Sequence, residues 1–259
     1  MGILDGKVAV VTGASNPGGI GETVAKLFAA QGAKVVVAAR NLDALQSLAS
    51  EIGGTAVACD IGKEDDIKAL AKAAADAHGK IDIAVNCAGI NVGGAIAELT
   101  TEQILPGVMI HYVGTTLFIR YMAEIMNDGG AIATASTLTA YHAGPGMAVY
   151  SGTKAAADQV VRVAAVEYGA RGIKVNSFSP GFTRTPMTEP FFGAPGIDIE
   201  GAFARETAMG RIGTTDDIAN GVLFLCSDQA FVSGQNIQLN GGASLGRLPK
   251  PHEMAAAAE

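Results

Sequence analysis

Short apolar segments alternate with longer amphipathic segments along most of this chain of 259 residues. The apolar segments are predicted strands, at residues 7–12, 34–39, 55–59, 81–86, 131–135, 173–179 and 236–239. The amphipathic segments are predicted helices, at residues 20–31, 41–52, 63–78, 101–126, 149–170 and 215–227. Because the early strands are apolar throughout, we expect burial on both faces and therefore a parallel sheet between two layers of helices. The sequence predicts an α/β protein with a doubly wound parallel sheet.

The chain has no Ser- or Pro-rich linker and no internal repeat, so residues 1–246 are predicted to form a single domain. Within it, residues 182–211 form a long connection rich in Pro and Gly, and such connections are typical of lids or binding segments. Its Phe and Met side chains favour an apolar ligand, and an ordinary surface loop with buried anchors is the alternative. Residues 247–259 are expected to form a tail that covers a neighbouring subunit's site or is disordered.

The composition excludes several classes of protein. Apolar residues make up 49% of the chain and charged residues only 17%, which excludes a disordered protein. Eighteen basic against 25 acidic side chains give a net charge of −7, which argues against nucleic acid or an anionic membrane as a partner. The three cysteines are widely spaced and match neither a disulfide framework nor a zinc site. We therefore expect no metal and a reducing, cytoplasmic location.

The first predicted strand ends in the sequence TGASNPGGIG, residues 12–21, which leads directly into the first predicted helix. Glycine is needed where a chain turns sharply, where its backbone approaches a pyrophosphate and where a helix packs on a strand. Gly13, Gly19 and Gly21 suit these three positions. The helix N-terminus also offers free N–H donors to a phosphate. At a junction of strand and helix, this pattern predicts a dinucleotide-binding turn.

The end of the second predicted strand indicates which dinucleotide binds. An NAD site places Asp or Glu there to accept hydrogen bonds from the ribose 2′-hydroxyl, whereas this chain has Ala39 and Arg40. An Arg side chain pairs well with a 2′-phosphate, so the sequence favours NADP(H), with NAD(H) as the alternative. A solvated charge at a helix start is the other interpretation of Arg40.

Further segments follow the glycine-rich turn in a fixed order. They are Asp60-Ile61, Asn86-Cys87-Ala88-Gly89, Tyr150-Ser151-Gly152-Thr153-Lys154, and Pro180-Gly181 with Thr183 and Thr185. Together with the turn, they resemble the short-chain dehydrogenase/reductase (SDR) family, the short single-domain type with TGxxxGxG and YxxxK motifs, over residues 6–242. The resemblance implies a Rossmann-type sheet of strand order 3-2-1-4-5-6-7 and a homotetramer or homodimer. It also implies reversible hydride transfer between a nicotinamide cofactor and an alcohol or carbonyl compound.

The resemblance also assigns roles to individual positions. The expected cofactor contacts are Gly13, Ser15, Asn16, Gly19, Ile20, Gly21, Arg40, Asp60, Ile61, Asn86, Ala88, Gly89, Tyr150, Lys154, Pro180, Gly181, Thr183 and Thr185. The side chains expected at the substrate are Tyr141, His142, Met147, Phe182, Met187, Phe191 and Phe192. The expected substrate is a secondary alcohol or ketone of apolar or alicyclic character.

Tyr150 and Lys154 lie four residues apart in a predicted helix, so both side chains project from one face. A free phenol has a pKa of about 10, and a nearby ammonium group lowers that pKa by favouring the phenolate. We therefore expect Tyr150 to act as the acid and base, and Lys154 to lower its pKa and to hold the nicotinamide ribose. A half-buried Tyr beside a Lys that extends to solvent is the non-catalytic alternative.

Two catalytic positions depart from the family pattern. Counting 13 residues back from Tyr150 reaches Thr137, which is the expected catalytic hydroxyl, and Ser136 is the alternative. His111 stands where the family has an Asn that completes the catalytic tetrad. A neutral imidazole has one donor and one acceptor with which to hold a water of a proton relay, or His111 is a core residue without a catalytic role.

Two other functions are alternatives to an alcohol dehydrogenase or ketoreductase. A cofactor-binding sensor or scaffold without turnover is suggested by His111, but the Tyr150 and Lys154 pair argues against it. An enoyl reductase is suggested by the extended glycine-rich turn, but the enoyl reductases that resemble it space their Tyr and Lys more widely.

Overall fold

The computed structural model describes residues 2–193 and 195–246 of the chain. Within these residues the strands are β1 (Val8–Thr12), β2 (Lys34–Ala39), β3 (Thr55–Ala58), β4 (Ile81–Asn86), β5 (Met126–Ala135), β6 (Lys174–Pro180) and β7 (Asn236–Leu239). The helices are α1 (Ile20–Ala30), α2 (Leu42–Ile52), α3 (Glu64–His78), α4 (Thr101–Gly107), α5 (Gly114–Ile125), α6 (Ala148–Tyr168), α7 (Ile199–Arg205) and α8 (Thr215–Cys226). None of these helices combines the length and the apolar character needed to cross a membrane.

All seven strands form one parallel sheet in the order β3-β2-β1-β4-β5-β6-β7, which confirms the predicted fold class and strand order. In register, Val10 of β1 lies opposite Val36 of β2 on one side and Ala84 of β4 on the other. The chain reverses its direction of travel across the sheet at β1, so a crevice opens where β1 and β4 end.

Two apolar cores explain why the early strands are apolar along most of their length. Ala9 and Val11 face the core formed with α1, α2 and α8, whereas Val8 and Val10 face the core formed with α3, α5 and α6. Phe28 anchors the first core and Phe118 the second, and both side chains are fully buried. Successive strand residues point to opposite faces, so both faces need apolar side chains.

The structure confirms a continuous helical segment over residues 101–125, but its middle is π-helical, which was not predicted. Helix α4 ends at Gly107, the π-helical segment Val108–Val113 follows, and α5 begins at Gly114. Pro106 within α4 has no N–H to donate to the preceding turn, which weakens the regular helix just before the π segment. A Cβ at Gly114 would collide with the Ile61 carbonyl, so the start of α5 lies very close to the loop that follows β3. Strand β5 also starts earlier than predicted, at Met126.

The long connection at residues 182–211 contains the helix α7, which the sequence analysis did not predict. Phe182 stacks on Phe203 with ring centroids 4.1 Å apart and also contacts Phe192 at 5.6 Å. The Arg184 guanidinium lies 4.3 Å from the centroid of the Phe192 ring. The segment therefore has a small apolar core of its own. The predicted tail, residues 247–259, lies outside the described residues.

Candidate active site

A cleft of about 200 Å³ opens at the carboxyl ends of β1, β2 and β4. Of the expected cofactor contacts, those that line it are Gly13, Ser15, Asn16, Gly19, Ile20, Gly21, Arg40, Asp60, Ile61, Ala88, Gly89 and Thr185. The lining residues that were not predicted as cofactor contacts are Thr12, Ala38, Ala39, Cys59, Cys87, Ile90, Ile110, Pro186 and Met187. Five of these lie at the end of a strand or directly after it, which is the signal from which they could have been identified: Thr12, Ala38, Ala39, Cys59 and Cys87.

The glycine-rich turn has the geometry that a dinucleotide requires. Gly13 has φ +72°, and a Cβ there would lie 2.6 Å from the carbonyl carbon of Cys87. A Cβ at Gly21 would collide with the Gly13 carbonyl oxygen, so only glycine lets α1 pack this closely on β1. Gly19 caps α1 without a side chain, which leaves the first N–H groups of the helix to the cleft. The residues present therefore fit the pyrophosphate of a nicotinamide dinucleotide.

Asn86 does not line the cleft, although the sequence analysis placed it among the cofactor contacts. Its Oδ1 accepts hydrogen bonds from the Thr12 hydroxyl at 2.7 Å and from the Ala88 N–H at 3.1 Å, and its Nδ2 donates to the Thr115 hydroxyl at 3.3 Å. These bonds join β1, β4 and α5 beneath the cleft. Thr183 also does not line the cleft, and its hydroxyl donates to the Gly181 carbonyl.

Arg40 is an exposed side chain at the wall of the cleft, and within the described residues no ion pair neutralises it. The neighbouring Ala39 also lines the cleft and has no carboxylate. Among the described residues, the end of β2 thus carries a positive charge without an ion-pair partner. An NAD site would place a carboxylate here to accept a hydrogen bond from the ribose 2′-hydroxyl.

Lys154 lies on α6 and is only 4% exposed. Its Nζ donates to the Ala135 carbonyl at 2.6 Å and lies 3.6 Å from the point where Gly89 would carry a Cβ, at the edge of the cleft. Burial lowers the pKa of Lys154 to about 8, while the charge of Asp158 raises it. The lysine is therefore mainly an ammonium ion at neutral pH.

Tyr150 is half-buried on the same helix, and the Thr137 side chain lies close enough to its phenol to influence the pKa of Tyr150. Burial raises the pKa of Tyr150, and the Thr137 side chain opposes that rise. The expectation that Lys154 lowers the pKa of Tyr150 is not met in this structure. The physical reason is that the ammonium group of Lys154 donates to Ala135, and burial dominates at the phenol.

Thr137 and Ser136 follow β5 but face different groups. The Ser136 hydroxyl donates to Asp158 Oδ2 at 2.8 Å, in the interior between the sheet and α6. The Thr137 hydroxyl accepts from the Thr139 N–H at 3.2 Å and lies on the side of Tyr150, whose pKa it lowers. Thr137 and Tyr150 are thus brought together, and Ser136 is held apart from them.

His111 lies in the π segment and is fully buried. Its Nε2 accepts from the Ile90 N–H at 3.1 Å, so Nδ1 carries the proton, and this nitrogen lies 2.9 Å from the Thr153 hydroxyl. The Thr153 hydroxyl in turn donates to the Val149 carbonyl at 2.7 Å. Burial lowers the pKa of His111 to about 3, which keeps the ring neutral. Both ring nitrogens are occupied by protein groups, and the ring edge packs against Tyr150 with centroids 5.4 Å apart.

The expected substrate residues differ in exposure and in their contacts, and Met187 is the one of them that lines the cleft. Tyr141 is 56% exposed, and Met187 and Phe191 are also exposed. The His142 Nε2 lies 2.7 Å from the Ser244 carbonyl, so the loop after β5 is tied to the last described residues. Phe182 and Phe192 belong mainly to the small core of the long connection, and Met147 precedes α6. Within the described residues, no cluster of His, Cys, Asp or Glu is suited to hold a metal ion.

Comparisons with known proteins agree with this geometry. The family model described as "Enoyl-(Acyl carrier protein) reductase", which is of the SDR type, matches residues 13–244. The mitochondrial borneol dehydrogenase of Lavandula x intermedia is 36% identical over 249 residues, which cover 93% of this chain and 92% of the relative. The chain belongs to the short-chain dehydrogenase/reductase family. The 7alpha-hydroxysteroid dehydrogenase of Escherichia coli (strain K12) is 36% identical over 247 residues, which cover 92% of this chain and 94% of that enzyme.

Solved structures of the SDR family extend the likeness to three dimensions. A short-chain type dehydrogenase/reductase from Mycobacterium ulcerans has a TM-score of 0.89 at 31% identity, over 95% of this chain and 93% of the other. This SDR is a short-chain alcohol dehydrogenase or ketoreductase, and its family uses a nicotinamide cofactor, NAD or NADP. A bound nicotinamide cofactor supplies or accepts the hydride, and the glycine-rich turn with its surrounding cleft is where this SDR would hold it.

Proposed function

We propose that this SDR transfers hydride between NADP(H) and a secondary alcohol or ketone, with Tyr150 as the proton donor and acceptor. The observation that carries the proposal is the pairing of the Tyr150 and Thr137 hydroxyls one helical turn from Lys154, whose Nζ lies beside Gly89 at the cleft. Two hydroxyl groups at the mouth of a dinucleotide cleft suit a reaction in which a carbonyl oxygen needs both hydrogen bonds and a proton.

The roles of the residues follow from their surroundings. In carbonyl reduction, the Thr137 and Tyr150 hydroxyls donate hydrogen bonds to the carbonyl oxygen, and Tyr150 then delivers its proton to that oxygen. Because burial raises its pKa, Tyr150 holds this proton at neutral pH. Lys154 carries a positive charge at the same edge of the cleft and is the group to hold the nicotinamide ribose. In alcohol oxidation the same proton moves in the opposite direction.

His111 has a positioning role in this scheme rather than that of a water ligand. It joins the Ile90 N–H of the cofactor cleft to Thr153 of α6, next to the catalytic lysine. A neutral ring that accepts on one side and donates on the other fixes the distance between the cofactor loop and the catalytic helix.

The preference for NADP(H) over NAD(H) rests on Arg40. The guanidinium is exposed at the wall of the cleft and unpaired within the described part of the chain, so a 2′-phosphate gains a charge-assisted hydrogen bond there. An unphosphorylated ribose would meet no carboxylate at Ala39 or Arg40.

We propose an apolar, alicyclic substrate. Tyr141, Met187 and Phe191 expose apolar surface near the entrance, and the long connection carries a cluster of stacked phenylalanines. Two relatives are named for borneol and for a 7alpha-hydroxysteroid, and both are alicyclic secondary alcohols.

We also propose a homo-oligomer, because Val163 and Val166 of α6 expose apolar side chains. A cytoplasmic location is favoured by three cysteines that remain free thiols, although the lavender relative is named as mitochondrial.

A substrate panel tests the proposed function. The purified protein is mixed with NADPH or NADH and with camphor, a 7-ketosteroid, a linear ketone or an enoyl thioester, and the oxidation of the reduced cofactor is followed. We expect turnover with the alicyclic ketones and a preference for NADPH. Turnover of the enoyl thioester alone would assign enoyl reduction instead, and tight NADPH binding without turnover of any compound would indicate a sensor or scaffold.

A further inference from the structure

Asp158 is a buried acidic residue on α6, one helical turn after Lys154, that the sequence analysis did not identify. It is 5% exposed. Its Oδ2 accepts hydrogen bonds from the Ser136 hydroxyl at 2.8 Å and from Asn236 Nδ2 at 2.7 Å. Its Oδ1 is buried and has no hydrogen-bond partner within the described residues. Through these hydrogen bonds the Asp158 side chain links α6 to the end of β5 and to β7.

An isolated carboxylate in such a position is unfavourable, because buried charges need a counter-charge. Lys154 is the matching cation. It is equally buried, lies four residues earlier on the same face of α6, and within the described residues its Nζ has one hydrogen bond, to the Ala135 carbonyl. A single neutral carbonyl does not balance the charge of a buried ammonium ion.

The other titratable groups that face Lys154 are neutral at pH 7. Burial raises the pKa of the Cys87 thiol, which follows β4, to about 12. Burial lowers the pKa of His111, on the π segment, to about 3, and raises the pKa of Tyr150 on α6. Of the described groups that act on the charge of Lys154, Asp158 is therefore the acidic one, and it raises the Lys154 pKa.

We propose that Asp158 is a positioning residue whose carboxylate, buried one helical turn after Lys154, keeps the Lys154 side chain in the ammonium form. It touches neither the cofactor cleft nor the hydroxyl pair of Thr137 and Tyr150, and it acts through Lys154. One part of this proposal rests on the proposed function, namely that the Lys154 ammonium group has a role in catalysis. The ionisation of Lys154 itself is a property of the protein that is measurable without turnover.

The test is a titration of Lys154 in the intact protein without substrate. Lysines are labelled with ¹³C at Cε, the Lys154 signal is assigned from its loss in Lys154→Met, and its chemical shift is followed with pH. We expect the wild-type midpoint near pH 8. In Asp158→Asn, which keeps the shape and removes the charge, we expect the midpoint to fall by about one pH unit or more. The descending limb of the pH profile for ketone reduction should move to lower pH by the same amount.

Asn236→Ala is the matched control, because it removes a hydrogen bond to Asp158 and leaves the carboxylate charge. Its Lys154 midpoint should stay within about 0.3 pH units of the wild-type value. If Asp158→Asn does not fold, Asp158→Ser supplies a second neutral variant. The titration of the wild-type protein by itself decides whether Lys154 is charged at pH 7. A neutral Lys154 at pH 7 in the wild-type protein, or an unchanged midpoint in a folded neutral variant, would overturn the proposal. If the Lys154 midpoints behave as expected but no ketone is reduced, the proposed function is refuted and the proposal for Asp158 is not.

Discussion

Replacing Thr137 by Ala should mainly lower activity, whereas replacing Ser136 by Ala should mainly lower stability. Thr137→Ala removes a hydroxyl that contacts Tyr150, and with it one hydrogen-bond donor to the carbonyl oxygen of the substrate. Loss of one such donor costs roughly 10²- to 10³-fold in kcat, or about 2.7–4 kcal/mol. The same substitution removes the bond from the Thr139 N–H, for which we expect a stability loss of about 1 kcal/mol.

Ser136→Ala acts on a different group. It removes one of the donors to Asp158, a buried carboxylate, which should cost about 1–3 kcal/mol of the free energy of unfolding. At about 2–4 °C per kcal/mol for a domain of this size, Tm should fall by several degrees. Because the Ser136 hydroxyl is held by Asp158 and not by Tyr150, kcat should change little.

The assay is the steady-state rate of ketone reduction with NADPH, together with thermal unfolding of the same preparations. Thr137→Ser serves as the control that keeps the hydroxyl and should retain most of the activity. A larger loss of kcat in Ser136→Ala than in Thr137→Ala, with both proteins folded, would refute the assignment of the hydroxyl pair.

Further predictions concern the cofactor, pH and packing. Arg40→Ser should weaken NADPH binding by about 1.5–3 kcal/mol and leave NADH binding unchanged, as measured by fluorescence titration; equal losses for both cofactors would contradict the role of Arg40. Ketone reduction should decrease as pH rises through about 8, because Lys154 loses its proton there, and the pH profile should show no His111 inflection, because the pKa of that ring is about 3. Gly21→Ala should lower both Tm and cofactor affinity, because its Cβ collides with the backbone of the glycine-rich turn, whereas Gly169→Ala, whose Cβ would meet open space, should not.

The fold was predictable because its signals are local. The early strands of the sheet are apolar along most of their length, and the structure shows the reason in the two cores that receive Val10 and Val11 of β1 from opposite faces. The π-helical stretch within the helical segment over residues 101–125 was not predictable in the same way. At its end Gly114 closely approaches the Ile61 carbonyl, a tertiary approach that no pattern within the helix reports.

The cofactor cleft was largely predictable, since glycines at a strand-to-helix junction have few other uses. The choice between Ser136 and Thr137 was harder, because it depends on how the chain turns after β5 and which side chain then faces α6. The bonds of His111 to Ile90 and Thr153 join segments far apart in sequence and left no signal. Asp158 did leave one, because an acid four residues after Lys154 on the same helix lies within reach of its charge.

The pH behaviour was the part least accessible from the sequence. The motif suggested that Lys154 lowers the pKa of Tyr150, but pKa values depend on burial, which the sequence does not specify for a half-exposed helix face. In the structure, burial raises the pKa of the phenol and lowers that of the amine. Tyr150 is therefore a proton donor at rest, which suits ketone reduction at neutral pH and requires a higher pH for alcohol oxidation.

The activity and NADPH affinity of Tyr150→Phe, determined on one preparation, test the central claim most directly. The substitution removes a single hydroxyl and keeps the ring that packs against His111. We predict that kcat falls by about 10²- to 10⁴-fold while the dissociation constant of NADPH stays nearly unchanged. A variant that retains more than about a tenth of the wild-type rate would show that another group moves the proton.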